Sequence, residues 1–186
     1  MRSVLPALLF ASLLCGCVSM PRPAAPAPVS VRQLPLEDIL YLPMAAVETW
    51  PEERRSRVAP FLAECRQAAD AFIATWKTGD VDALYREVTR ELRDELPPTE
   101  FGKTVAGIKA ATGAMDQATF SMQALAIPRS DEEARGALYS EVSYSVFPAT
   151  WTARRGLFVV GLARDGSACR VTSFSYSGFG PRGTAS

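Results

Sequence analysis

The 186-residue chain contains no histidine, which removes the commonest general base and the commonest metal ligand near neutral pH. Its 20 basic and 20 acidic residues cancel, so neither a nucleic-acid partner nor an electrostatic grip on anionic lipid is expected. The few thiols and scattered acids show no metal-ligand spacing, and no glycine-rich turn opens a helix as a phosphate cradle would. No cofactor is expected. Long apolar runs are missing too: Val4 to Leu14 spans about eleven residues, whereas a membrane-crossing helix needs roughly twenty. What remains says more about where the chain works than about any reaction.

At the N-terminus the chain has the parts of an export signal. Met1 and Arg2 supply positive charge, the apolar run follows, and small residues close it. Leu14-Cys15-Gly16-Cys17 resembles the lipobox of bacterial lipoproteins, in which a Leu and two small residues precede an obligatory Cys. The resemblance implies that residues 1–16 leave as a signal peptide and that the Cys17 sulfur takes a diacylglyceryl group, with a further acyl chain on the new N-terminus. The alternative is ordinary secretory cleavage near Ala24-Ala25, which Pro23 and Pro26 disfavour. At about 0.8 kcal/mol per buried methylene, two or three acyl chains give roughly 20 kcal/mol or more, an effectively permanent anchor. In Gram-negative lipoproteins an Asp after the lipidated Cys commonly holds the protein at the inner membrane. Here that residue is Val18, so the resemblance implies the outer membrane, with the domain in the periplasm.

Residues 17–36 carry Pro21, Pro23, Pro26, Pro28 and Pro35 among Ala, Val, Ser and Arg, which suits a semi-rigid tether reaching up to ~60 Å at about 3.1 Å per residue. Residues 37–59 read as an irregular or short helical lead-in, with a helix opened by Pro51. From 60 the signal sharpens. Phe61, Leu62, Cys65, Ala68, Ala69, Phe72 and Trp76 recur at three- and four-residue intervals, predicting an amphipathic helix that ends at Gly79. Asp80 can cap a second helix over Val81, Leu84, Tyr85 and Val88. Pro97-Pro98-Thr99-Glu100 opens a third, with Phe101, Val105, Ile108 and Thr112 on one side. The mixed charges from Arg86 to Glu95 read as solvated surface.

After Met115 the period changes to alternation. Phe120, Met122, Ala124 and Ala126 share one face of a strand, and Leu138, Val142, Tyr144 and Val146 share one face of the next. Leu157 to Arg164 and Ala168 to Ser177 form two more, joined at Asp165-Gly166. The expected fold is α+β: N-terminal amphipathic helices packed on a curved antiparallel sheet. In the last strand alternation puts Cys169 and Val171 on one face and Arg170, Thr172, Phe174 and Tyr176 on the other. If helices cover the first face, Cys169 lies opposite Cys65. An even pair of mature thiols in an oxidising compartment then suggests a disulfide, with two separately buried thiols as the alternative.

The helix-first order resembles the NTF2-like (cystatin-like) superfamily, particularly helix-first domains of unknown function in exported bacterial proteins. The resemblance rests on Lys77-Thr78-Gly79-Asp80-Val81-Asp82-Ala83-Leu84-Tyr85, Glu91-Leu92, Pro98-Thr99-Glu100-Phe101 and the terminal Arg164-Asp165-Gly166-Ser167-Ala168-Cys169-Arg170-Val171. It covers residues 60–179, leaves 180–186 as a tail, and implies a cone of helices over a bent sheet with frequent dimerisation. The fold hosts both enzymes and adaptors, so two functions stay open. One is a non-catalytic envelope module that binds an envelope protein, a small apolar ligand or a second copy, with Phe174 and Tyr176 as an exposed interaction face. The other is a small ketosteroid-isomerase or dehydratase-like enzyme, which requires a carboxylate inside the apolar cone. Glu141 is the only carboxylate inside a strand, and alternation sets it opposite Leu138, Val142 and Tyr144, towards solvent.

Overall fold

A computed structural model describes residues 39–113, 115, 117–128, 138–147 and 156–178. Its longest element is α2, Glu52–Thr78, which starts directly after Pro51 and runs about 40 Å at 1.5 Å per residue. Pro60 lies inside it without ending it. The proline is solvent-exposed near the start of the helix, so the carbonyl it leaves unpaired faces water. The buried stripe is Val58, Phe61, Leu62, Cys65, Ala69, Phe72, Ile73 and Trp76, as helical spacing requires. Gly79 stops the helix in the left-handed region at φ 83°, where a side chain would be strained.

The shorter helices follow from their caps. The Asp80 carboxylate accepts the Ala83 N–H at 2.8 Å and starts α3, Val81–Glu87. The Thr89 hydroxyl accepts the Leu92 N–H at 3.2 Å and starts α4, Arg90–Glu95, which buries Leu92 within the expected solvated stretch. Pro98 occupies the first turn of α5, Pro98–Thr112, which buries Phe101, Val105 and Thr112.

The sheet has five antiparallel strands in the order β1-β2-β3-β4-β5: Ile39–Pro43, Gln117–Pro128, Tyr139–Phe147, Gly156–Asp165 and Ala168–Gly178. The stretch 37–59, expected to be irregular or short helical, instead supplies β1, the five-residue helix α1 (Met44–Glu48) and the first two turns of α2. β1 pairs with residues 124–128 of β2, so the sheet reaches back well before residue 60. The β4–β5 hairpin turns on Gly166 and Ser167, one residue later than expected. Only Gly166 takes positive φ there (66°), as a two-residue loop with Gly first prefers.

Each of the five helices among the described residues sends its buried apolar side chains into one cluster against one face of the sheet. Phe61, Phe72, Trp76, Phe101 and Phe158 are fully buried there, and Trp76 meets Phe158 edge-on at 4.9 Å. Cys65 on α2 and Cys169 on β5 are joined by a disulfide, with Cα atoms 5.2 Å apart. The strand just after that bond departs from simple alternation. Gly161 pairs with Ser173 but Leu162 pairs with Val171, so Thr172 is an extra residue in β5. That bulge reverses the facing of everything beyond it. Phe174 and Tyr176, expected on an exposed interaction face, pack against the core instead. Phe174 lies 5.5 Å from Phe72, 5.6 Å from Phe101 and 5.8 Å from Trp76.

A second bulge, at Ser121, separates Phe120, opposite Tyr144, from Met122, opposite Ser143. Phe120 and Met122 therefore do not share a face as alternation alone would have them. In β2 the core-facing positions become Gln123, Leu125 and Ile127, with the buried Gln123 amide donating to the Leu62 carbonyl at 2.9 Å and the Ser140 hydroxyl at 3.1 Å.

Candidate interaction surface

The layer between helices and sheet is filled by aliphatic and aromatic side chains, so the chemistry has to be sought around it. On the helix side three polar groupings stand out. The Glu64 carboxylate accepts the Cys169 N–H at 2.9 Å and pairs with Arg164 at 3.4 Å, which ties α2 to the β4–β5 end beside the disulfide. Along the other flank of α2, Arg66 donates to Asp70 at 3.0 Å and stacks 3.5 Å from the centre of the Phe120 ring. The Tyr144 hydroxyl donates to the same carboxylate at 2.7 Å; burial, then the Asp70 bond and charge, push its pKa up. Third, the Glu87 carboxylate accepts from the Thr75 hydroxyl at 2.5 Å at the α2–α3 seam, and its other oxygen is buried without a hydrogen bond.

A cleft of about 550 Å³ opens where α2 and α5 end, lined by Trp76, Lys77, Gly79, Lys109, Gly113 and Met115. Both lysines sit at helix C-termini, where the helix dipoles favour cations, so their placement needs no ligand to explain it. Among the described residues no group of His, Cys, Asp and Glu could hold a metal ion, and no helix is long and apolar enough to cross a membrane.

The opposite face of the sheet is organised differently. Opposed residues form three rows across it: Tyr41, Ala126, Tyr139 and Ala163; then Pro43, Ala124, Glu141, Gly161 and Ser173; then Met122, Ser143, Val159 and Ser175. No helix contributes to the small cluster buried on this side, which is Ile39 and Ala126 with Tyr139 against them. Tyr139 leans across Gly161 to bond Ser173 at 3.0 Å; a Cβ at 161 would meet the Tyr139 hydroxyl at 1.7 Å, so only glycine fits beneath it. Glu141 holds the centre of the middle row, half-buried, with Ala124 on one side and Gly161 under the Tyr139 phenol on the other. Burial pushes its pKa up, and Tyr41 is raised by burial and then by the Glu141 charge.

The exposed large apolar side chains gather at the β1–β2 end of the sheet: Leu40 (39%), Tyr41 (42%), Phe120 (41%) and Met122 (47%). Residues of comparable size elsewhere in the described fold are packed. Within that group Tyr41 and Met122 lie on the open face, opposite Ala126 and Ser143, and Leu40 and Phe120 on the helix side, opposite Ile127 and Tyr144. Two of its members lie in β1, where the sequence reading missed them, although Ile39-Leu40-Tyr41-Leu42 carries the aromatic and branched composition of a strand.

Of the residues singled out from the sequence, Cys17, the export signal, the tether and the tail lie outside the described residues. Cys65 and Cys169 are brought together and are thereby withdrawn from nucleophilic or metal chemistry. Glu141 lies on the face away from the helices, and Phe174 and Tyr176 lie on the face towards them. No known family, curated protein or solved structure matches this chain.

Proposed function

We propose that this chain is a lipid-anchored protein of the bacterial cell envelope, held at the outer membrane through Cys17. In this reading its folded part is a non-catalytic binding or assembly module of the NTF2-like kind, with helices over a bent sheet. The observation that carries the binding role is the division between the two sides of the sheet. The helix side is closed by aromatic packing over most of the sheet, while the open face carries no helix and leaves Tyr41 of β1 and Met122 of β2 exposed. An isomerase or dehydratase would need its carboxylate between helices and sheet, and Glu141 faces the other way. The Pro-rich residues 17–36 then serve to present the surface at a distance from the lipid anchor.

Crosslinking and pull-down from intact envelopes tests the reading. The wild-type protein should recover a specific partner, and Tyr41→Ser with Met122→Ser should lose it while the fold and its disulfide persist. Recovery of no partner by the wild type, or undiminished recovery by the double variant, contradicts it.

A further inference from the structure

The rows of the open face put Glu141 where a strand carboxylate is hardest to satisfy. It sits on the central strand, with the Ala124 methyl group on one side and Gly161, covered by the Tyr139 phenol, on the other. It is half-buried yet makes no hydrogen bond or ion pair with any described residue. The described strands hold two cations that could have served it, and both are committed elsewhere. Arg164 projects to the helix side and pairs with Glu64. Arg170 shares the open face, but its guanidinium donates to the Arg86 carbonyl at 2.7 Å. A half-buried carboxylate with no partner costs stability, and the usual resolution is a cation.

The surroundings say what kind of cation fits. Ala124, Ala126 and Ser143 keep the floor around the carboxylate low, and the Tyr139 phenol closes the side over Gly161. Tyr41 stands exposed on one side of the row and Met122 on the other. A metal ion is a poor occupant, because one carboxylate without a second acidic or thiol ligand does not make a site. A second copy packed face to face about a two-fold axis through this centre is also disfavoured, since it would oppose two unpaired carboxylates. Tyr41 and Met122 keep 42% and 47% of their surface exposed on this face, apolar surface that a free amine would leave uncovered.

We infer that the open face of the sheet docks a protein partner that presents a cationic side chain, a lysine or arginine, to Glu141 between Tyr41 and Met122, with its apolar neighbours on those two exposed side chains. This rests on the binding-module reading and gives that module's partner a chemistry. The long aliphatic stem of lysine or arginine suits a low floor with apolar walls and a charge at its centre. Carboxylate and ammonium then satisfy each other in a site shielded on both sides from solvent and salt.

The test uses the mature chain in non-ionic micelles, with acetyl-tetralysine amide as probe and its tetraglutamine counterpart as control, read by amide chemical shifts. Tetralysine should move the signals of Ala124, Glu141 and Gly161, the tetraglutamine peptide should not, and Glu141→Gln should weaken the tetralysine effect about tenfold. Shifts that centre elsewhere, an equal response from Glu141→Gln, or no response at about 10 mM peptide would overturn the inference. The envelope pull-down, repeated with Glu141→Gln, keeps the two claims apart. Loss of the wild-type partner supports the cationic contact. Retention of the same partner overturns the contact and leaves the binding role standing, whereas recovery of none by the wild type overturns the binding role itself.

Discussion

Removing the bond between Cys65 and Cys169 is the perturbation whose size follows most directly from the fold. The two residues are separated by 104 positions, and the chain-entropy relation for a closed loop of that size gives about 4.7 kcal/mol at 25 °C as the constraint lost from the unfolded chain. The second half of α2, all of α3 to α5 and strands β2 to β4 lie within that loop, so the larger part of the unfolded domain gains freedom. A domain of this size has roughly 5–15 kcal/mol in total, so the bond accounts for a large share of it. Cys65→Ala with Cys169→Ala adds a packing loss, because both sulfurs are buried between α2 and β5. Urea unfolding of the oxidised protein, the reduced protein and the double variant measures the effect. With a slope of about 2 kcal/mol/M, the midpoint should fall by about 2 M in both altered forms. Burial also makes the native bond resistant, so reductant should open it only at the rate of unfolding. A midpoint unchanged within about 0.3 M, or two titratable thiols in the unreduced, denatured protein, would refute the reasoning.

Three further outcomes follow from the sheet. Glu141 has a folded pKa raised by burial, so the native state binds its proton more tightly than the unfolded chain does; its ionisation lowers stability as pH rises through and above the ordinary carboxylate pKa. Glu141→Gln should therefore unfold at a higher temperature than the wild type at pH 7, with the difference vanishing near ~pH 3, below the ordinary Glu value of about 4.3; calorimetry showing no pH-dependent difference would contradict this. Gly161→Ala should displace the Tyr139 ring and break its bond to Ser173, costing about 1–3 kcal/mol in chemical denaturation, and a neutral result would mean Tyr139 does not lie there. Tyr144→Phe removes a hydrogen bond to a half-exposed carboxylate and should cost about 1 kcal/mol, while abolishing the high-pH phenol titration delayed by burial and by Asp70.

Much of the fold was legible because two periods do most of the specifying. The stripe from Phe61 to Trp76, the Gly79-Asp80 break, Pro98 at a helix start and Gly113 at its end all behave as local chemistry requires. The pairing of Cys65 with Cys169 was reachable from those periods, since each sulfur sits on the apolar side of its own element. The misreadings share a cause: one residue of irregularity carries a large consequence in a pattern of period two. The extra Thr172 turned Phe174 and Tyr176 inward, and the extra Ser121 parted Phe120 from Met122. A bulge has no strong local signature, so alternation read straight through it fails from that point on. Pro60 misled in the opposite sense, suggesting a boundary where an exposed position lets the helix pass. The four residues of Ile39-Leu40-Tyr41-Leu42, set between Pro35 and Pro43, were too few to declare a strand, although they supply half of the exposed large apolar side chains. Glu141 was placed correctly on the face away from the helices. Its isolation was not legible, because it depends on where Arg164 and Arg170 send their guanidinium groups.

The central claim is that the sheet domain works at the end of a lipid-anchored tether, and intact-mass analysis of the protein purified from native envelopes tests it most directly. The account predicts a chain beginning at Cys17, heavier by its acyl groups and lighter by the two hydrogens lost in the Cys65–Cys169 bond. A mature chain without acyl mass, or one starting beyond Cys17, would contradict it.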